Sequence, residues 1–211
     1  MHEDKSGLKR MISAPAVYNL VQFAAGASMY RNRMVRDFIK PAANDRILDI
    51  GCGTGEYVKF LDRHCPSYEY YGFDGEAGYV AYSKTLFAGR NNLHFYHRVL
   101  TEAGIAEFES FDIVLAIGVM HHMDDALVTS LLRVAKRALK PGGRLVTYDP
   151  GRFSDANAIE NFFVKHDRGR NIRAPEHYER IVKQVFPVVR LHVPRLTYYP
   201  CRNVVFECVN D

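Results

Sequence analysis

The chain has 211 residues, 47% of them hydrophobic and 25% charged, which is enough to bury one substantial core and argues against a disordered chain. Its formal net charge of +4 comes without any Lys/Arg block, so nucleic acid is not indicated as a partner, and no apolar run approaches the length of a membrane span. Four cysteines (Cys52, Cys65, Cys201, Cys208) form neither a C-x-x-C pair nor a zinc spacing. With an N-terminus, MHEDKSGLKR, that lacks a signal-type apolar core, they predict reduced thiols in a cytoplasmic protein.

Segment 15–39 comes first. Val17, Leu20, Val21, Ala24 and Ala25, then Met34, Val35, Phe38 and Ile39, predict two helices broken near Gly26 and packed on a sheet edge. Pro41 and Asn44-Asp45 turn the chain into RILDIGCGTGE at 46–56. Ile47, Leu48 and Ile50 read as a short buried strand, the three glycines as a turn, and Tyr57, Val58, Phe60 and Leu61 as the helix that follows. Strand, glycine turn and helix are the first half of a nucleotide-binding βαβ unit. A dinucleotide fingerprint would need a third glycine at position 56, which holds Glu56. Asp49 and Glu56 beside the helix N-terminus would repel a pyrophosphate and suit a cation.

The first helix is expected to run to about His64 and to close at Pro66. A second strand, 68–73, ends at Asp74-Gly75. An acid at this place can accept from both hydroxyls of a ribose, or else cap the next helix, 77–88. A third strand is expected at 93–99, and Thr101 is a plausible cap for a short helix to Phe108. Segment 111–118, FDIVLAIG, has the near-continuous apolar character of a strand buried on both faces. The loop beyond it, Val119-Met120-His121-His122-Met123-Asp124-Asp125, lies where doubly wound folds hold their ligands. Either His121 or His122 could remove a proton from an acceptor hydroxyl, while the other packs or bonds to backbone. Asp124 or Asp125 is expected to cap a helix whose apolar face is Leu127, Val128, Leu131, Leu132, Ala135 and Leu139. After Lys140-Pro141-Gly142-Gly143 comes a fifth strand, 144–149. Segment 150–173 reads as a long polar connection near the substrate opening. Helix 175–186 and strands 188–193 and 203–209 complete the chain. With no helix between them, those two strands should form an antiparallel edge pair.

Asp49-Ile-Gly-Cys-Gly-Thr-Gly55, YYGFD at 70–74 and LKPGGRLV at 139–146 together resemble the class I S-adenosylmethionine-dependent methyltransferases, and the resemblance covers nearly all of the chain from Arg46 onward. It implies an α/β, Rossmann-like, doubly wound seven-stranded sheet, mostly parallel with an antiparallel C-terminal edge pair. It implies one domain over 1–211, with 1–44 as a helical lid and 45–211 as the core. The implied cofactor is S-adenosyl-L-methionine, a cation without phosphate, which leaves S-adenosyl-L-homocysteine. Carried onto this sequence, its contacts are Asp49, Gly51, Cys52, Gly53, Thr54 and Gly55 around the turn, and Asp74 and Gly75 at the ribose. Backbone near Val99 and Leu100 would meet the adenine in place of the acid the family often carries there, and Ile117 and Gly118 would flank the methionine part. Tyr18, Tyr30 and Arg33 of the lid, Arg168, Arg170 and Arg173, and Tyr198 with Tyr199 would suit a polar or anionic small molecule with an apolar part. Oxygen is the expected acceptor atom because a histidine base is at hand. GVMHH stands where base-amine methyltransferases often carry N/D-P-P-Y, which counts against nucleic acid, and no metal site is expected. An NAD-dependent oxidoreductase, opposed by Glu56 and the edge strands, and a non-catalytic cofactor-binding or scaffold protein are the alternatives.

Overall fold

The structure is a computed structural model and describes residues 27–194 and 201–211. The first predicted helix and the expectations on Tyr18, Tyr198 and Tyr199 lie outside the described residues. Strands β1 (Asp45–Ile50), β2 (Tyr68–Asp74), β3 (Leu93–His97), β4 (Phe111–Ile117), β5 (Leu139–Pro150), β6 (Val188–His192) and β7 (Asn203–Val209) form one sheet in the order β3-β2-β1-β4-β5-β7-β6. The first five run parallel, and β7 is antiparallel to both β5 and β6. The chain walks outward from β1 to β3 and then crosses back to β4. That reversal opens a crevice beyond the carboxyl ends of β1 and β4, the place where such sheets hold ligands. The expected C-terminal pair is present with one refinement, since β7 inserts beside β5 and leaves β6 at the edge.

The helices are α1 (Ala27–Met34, continued by a π-helical turn over Val35–Ile39), α2 (Val58–His64), α3 (Ala77–Leu86), α4 (Glu102–Ile105), α5 (Asp125–Ala138), α6 (Ala158–His166) and α7 (Pro175–Lys183). They cover the sheet on two faces, and strand alternation feeds both cores. Ile47 packs with Met34, Ile39, Phe60 and Tyr70, while its neighbour Leu48 packs with Val128, Leu132 and Tyr178. Burial of each such side chain contributes roughly 1.5–3 kcal/mol before the entropy of ordering is counted. Asp124, not Asp125, caps α5 by accepting from the Leu127 N–H at 2.9 Å. The buried residues of α5 are Val128, Leu131, Leu132, Val134, Ala135 and Ala138; Leu127 is exposed and Leu139 already belongs to β5. Arg144 of β5 donates to the carbonyls of Phe38, Ile39 and Lys40, satisfying the open end of the α1 segment.

Segment 150–173 departs from expectation. It contains α6, started by a capping box in which Asn157 accepts from the Glu160 N–H at 2.9 Å and Glu160 accepts from the Asn157 N–H. Arg202 then pairs with both Glu160 and Asp155 and ties the helix to the start of β7.

Of the three glycines in the turn after β1, Gly53 alone (φ +55°) has open space around it: a Cβ there would meet nothing within 4 Å. At Gly55 (φ +71°) a Cβ would meet Phe87 at 2.9 Å and Phe95 at 3.0 Å. The third glycine therefore serves helix–sheet packing and not close approach to a ligand. Gly55→Ala is expected to cost about 2 kcal/mol through backbone strain and overpacking. Thermal unfolding should register a fall of roughly 4–8 °C in Tm.

Candidate active site

A cavity of 1210 Å³ occupies the switch-point crevice. It exceeds the ~300–1,000 Å³ of a site for one drug-sized ligand, which leaves room for a cofactor and an acceptor together. Asp49, Gly51, Cys52, Gly53 and Thr54 line it from the glycine turn, and Asp74 and Gly75 from the end of β2. Val99 and Leu100 line it from beyond β3, Ile117 from the end of β4, Gly118, His121 and His122 from beyond that strand, Tyr30 from its buried place on α1, and Arg168 from the exposed loop after α6. Gly55, Arg170 and Arg173 do not reach it. Arg33 bonds to Asp37, one turn along its own helix.

Asp74 organises the first wall. One carboxylate oxygen accepts from the Gly53 N–H at 2.8 Å and the other from the Glu76 N–H at 2.8 Å, so one side chain ties the glycine turn to the start of α3. Each oxygen retains a second lone pair for a ligand hydroxyl. Asp49 is buried beneath the turn, where the Tyr70 hydroxyl donates to it at 2.6 Å. Burial raises its pKa to about 7, opposed by the Tyr70 bond and assisted by the charge of Asp74. The Cys52 thiol packs against Gly72 and is pushed up by burial, so it supplies shape and not a thiolate. Beyond β3, His97 Nε2 lies 3.0 Å from the Gly75 carbonyl, and Arg98 is held by Glu107 at 2.7 Å.

The second wall is built around His121. Its backbone N–H and its ring Nδ1 both meet Asp149 Oδ1, at 3.0 and 2.7 Å, and Asp149 is fully buried at the end of β5. The Asp149 carboxylate assigns a proton to Nδ1. Nε2 lies 3.4 Å from Asp167 on the loop after α6. The Asn171 N–H donates to the His121 carbonyl and holds that loop against the histidine. His122 packs its ring against His121, with centroids 4.0 Å apart. Burial and the charge of His121 hold its pKa below the usual imidazole range, while Asp167 pulls the other way.

Arg173, expected at the acceptor, is instead buried. It donates to Asp125 and to the carbonyls of Met120, Met123 and Asn171, bracing the loop that carries both histidines.

Residues 48–145 match the model of the family described as "Methyltransferase domain". That stretch is a methyltransferase domain. Over 144 residues the chain is 28% identical to a ubiquinone biosynthesis O-methyltransferase of Sinorhizobium medicae, covering 68% of this chain and 56% of that relative. Over 140 residues it is 35% identical to a highly reducing polyketide synthase of Aspergillus nomiae, covering 59% of this chain and 6% of the synthase. The chain thus spans about half of the first relative and a small part of the second. Human N-acetylserotonin methyltransferase, solved in complex with S-adenosylmethionine, shares the fold at a TM-score of 0.66 and 16% identity, over 92% of this chain and 54% of that one.

The residues of this methyltransferase domain fit that cofactor. Gly53 opens on the cavity where any side chain would fill it, and three carboxylates (Asp49, Asp74, Glu76) line the wall beside it. Glu56 is engaged by an ion pair with Arg31, and burial raises its pKa. No cluster of His, Cys, Asp or Glu among the described residues could hold a metal ion. No helix among them is long and apolar enough to cross a membrane.

The sequence points to neither Asp149 nor Phe162 and Phe163, yet the first anchors His121 and the other two line the cavity mouth. A signal for Asp149 exists, because it ends β5 at the carboxyl edge as Asp74 ends β2.

Proposed function

We propose that this chain methylates an oxygen of a small-molecule acceptor, using S-adenosylmethionine, with His121 as proton acceptor and Asp149 as its positioning residue. The observation that carries this reading is the buried Asp149–His121 pair opening onto the same cavity as the glycine turn. The cofactor supplies an electrophilic methyl group on a sulfonium that leaves as a neutral thioether. The protein aligns the acceptor oxygen with that methyl and keeps water out. His121 Nε2 takes the hydroxyl proton, and Asp149 stabilises the resulting imidazolium through Nδ1–H. Asp74 holds the ribose hydroxyls while keeping the Gly53 turn in shape, Gly75 lies beside it, and Ile117 and Gly118 flank the methionine part. Backbone groups at Val99 and Leu100 meet the adenine. Tyr30, Phe162 and Phe163 wall the acceptor's apolar part, and Arg168 at the rim, with Arg170 just beyond it, suits an anionic one. The chain works as one domain, with 1–44 as a cover over the 45–211 core, in the cytoplasm; its four free thiols accord with a reducing compartment.

Calorimetric titration with S-adenosylhomocysteine and, separately, NAD tests the cofactor. S-adenosylhomocysteine should bind and NAD should not. Asp74→Ala should weaken the first at least ~100-fold, about 2.7 kcal/mol, because it removes two charge-assisted acceptor bonds and the brace on Gly53. Binding of NAD in preference would overturn the reading.

A further inference from the structure

Helix α6 buries none of its residues, yet it carries Ile159, Phe162 and Phe163 at i, i+3 and i+4, exposed by 63%, 57% and 44%. The helix is nonetheless fixed in place, by its capping box and by Arg202 on Glu160. Three large apolar side chains are therefore held outward by a built structure, and each would be expected inside a core or against a partner. Basic residues gather at the C-terminal end of the helix. Lys165 and His166 end the helix, and Arg168 and Arg170 follow, all exposed. The nearby acids are engaged elsewhere: Asp155 and Glu160 by Arg202, and Asp167 by the Gly169 N–H and His121.

An apolar helix edge rimmed by cations matches a surface that is apolar inside and anionic at its boundary. We propose that α6 docks this protein on an anionic lipid surface. Ile159, Phe162 and Phe163 enter the boundary between headgroups and acyl chains, and Lys165, Arg168 and Arg170 meet the phosphates. Phe162 and Phe163 also line the mouth of the cavity, so docking sets that mouth against the lipid. Under the proposed function, the acceptor would then be a molecule that partitions into the bilayer. The docking itself does not depend on methyl transfer.

The test is co-sedimentation with vesicles of equimolar phosphatidylcholine and phosphatidylglycerol, beside phosphatidylcholine alone. The protein should bind the mixed vesicles at least ~10-fold more tightly than the neutral ones, and added salt should weaken binding. Ile159→Ser lies outside the cavity lining and should lower binding to the mixed vesicles about 5-fold or more. Its affinity for S-adenosylhomocysteine should be retained, which shows that the fold is intact. Lys165→Glu should lower vesicle binding as well. Absence of sedimentation with the mixed vesicles overturns the proposal, as does undiminished binding by Ile159→Ser. A dimer in vesicle-free solution that Ile159→Ser dissociates also overturns it, and assigns the face to a second copy of the chain.

Discussion

His121→Ala is expected to lower kcat by about 10²–10⁴-fold, the range of a general base, with little change in affinity for S-adenosylhomocysteine. Asp149→Asn should produce a loss of at least ~10²-fold while leaving the histidine in place. The amide can present N–H where the carboxylate now accepts, which favours the wrong tautomer, and it removes the charge that stabilises the imidazolium. The carboxylate is buried, and its own pKa is raised by that burial and opposed by His121, so the two groups depend on each other. A residue that merely shaped the loop would change KM or stability and leave kcat in place. His122→Ala should cost less than ~10-fold. Its ring lines the cavity but, among the described residues, no carboxylate is bonded to it in the manner of Asp149 on His121. Release of S-adenosylhomocysteine, followed across pH with an acceptor that supports turnover, checks all three. A large loss in His122→Ala beside a small one in His121→Ala would reverse the roles.

The parts of the fold that are legible in the sequence are those where local chemistry and tertiary position agree. The apolar run of β4, the glycine turn after β1 and the Thr101 and Asp124 caps need only nearest neighbours to be read. The two histidines and Asp74 can be placed because strand ends in this topology point at one crevice. What cannot be read depends on partners distant in sequence. Nothing around Arg173 reveals that its guanidinium meets carbonyls some fifty residues upstream, and an arginine in a polar stretch reads as an exposed one. Gly55 looks equivalent to Gly53 in sequence, but Phe87 and Phe95 come from elements formed later in the chain. Helix α6 is hidden because its nine residues carry apolar positions that the protein leaves exposed, so its pattern lacks a buried face to match. Asp149 reads only as the end of a strand, since its importance lies in a histidine 28 residues away.

Arg173→Met should destabilise the protein by about 3–5 kcal/mol, because three backbone carbonyls lose one charged donor, while Asp125, more than half exposed, can turn to water. The guanidinium donates to Asp125 at 2.8 Å, to the carbonyls of Met120, Asn171 and Met123 at 3.1, 2.8 and 2.7 Å, and lies 5.4 Å from the Tyr178 ring centre. Methionine fills part of the volume and satisfies none of those acceptors, so the carbonyls of Met120 and Met123 lose a partner in a place closed to water. A fall of roughly 6–20 °C in Tm is expected on that cost. Arg173→Lys should recover only part of it, because one ammonium cannot span acceptors spread around a planar fork. The loss reaches the reaction through geometry. Met120 and Met123 bracket the two histidines, and a loosened loop lets His121 move from Asp149, so turnover should fall in both variants by more than the unfolded fraction explains. Thermal unfolding, with kcat measured well below each variant's Tm, separates the two effects. If Arg173→Met left Tm within about 2 °C and raised only KM for the acceptor, the arginine would be a substrate contact after all, and the loop would owe its shape to the Asp149–His121 bond alone.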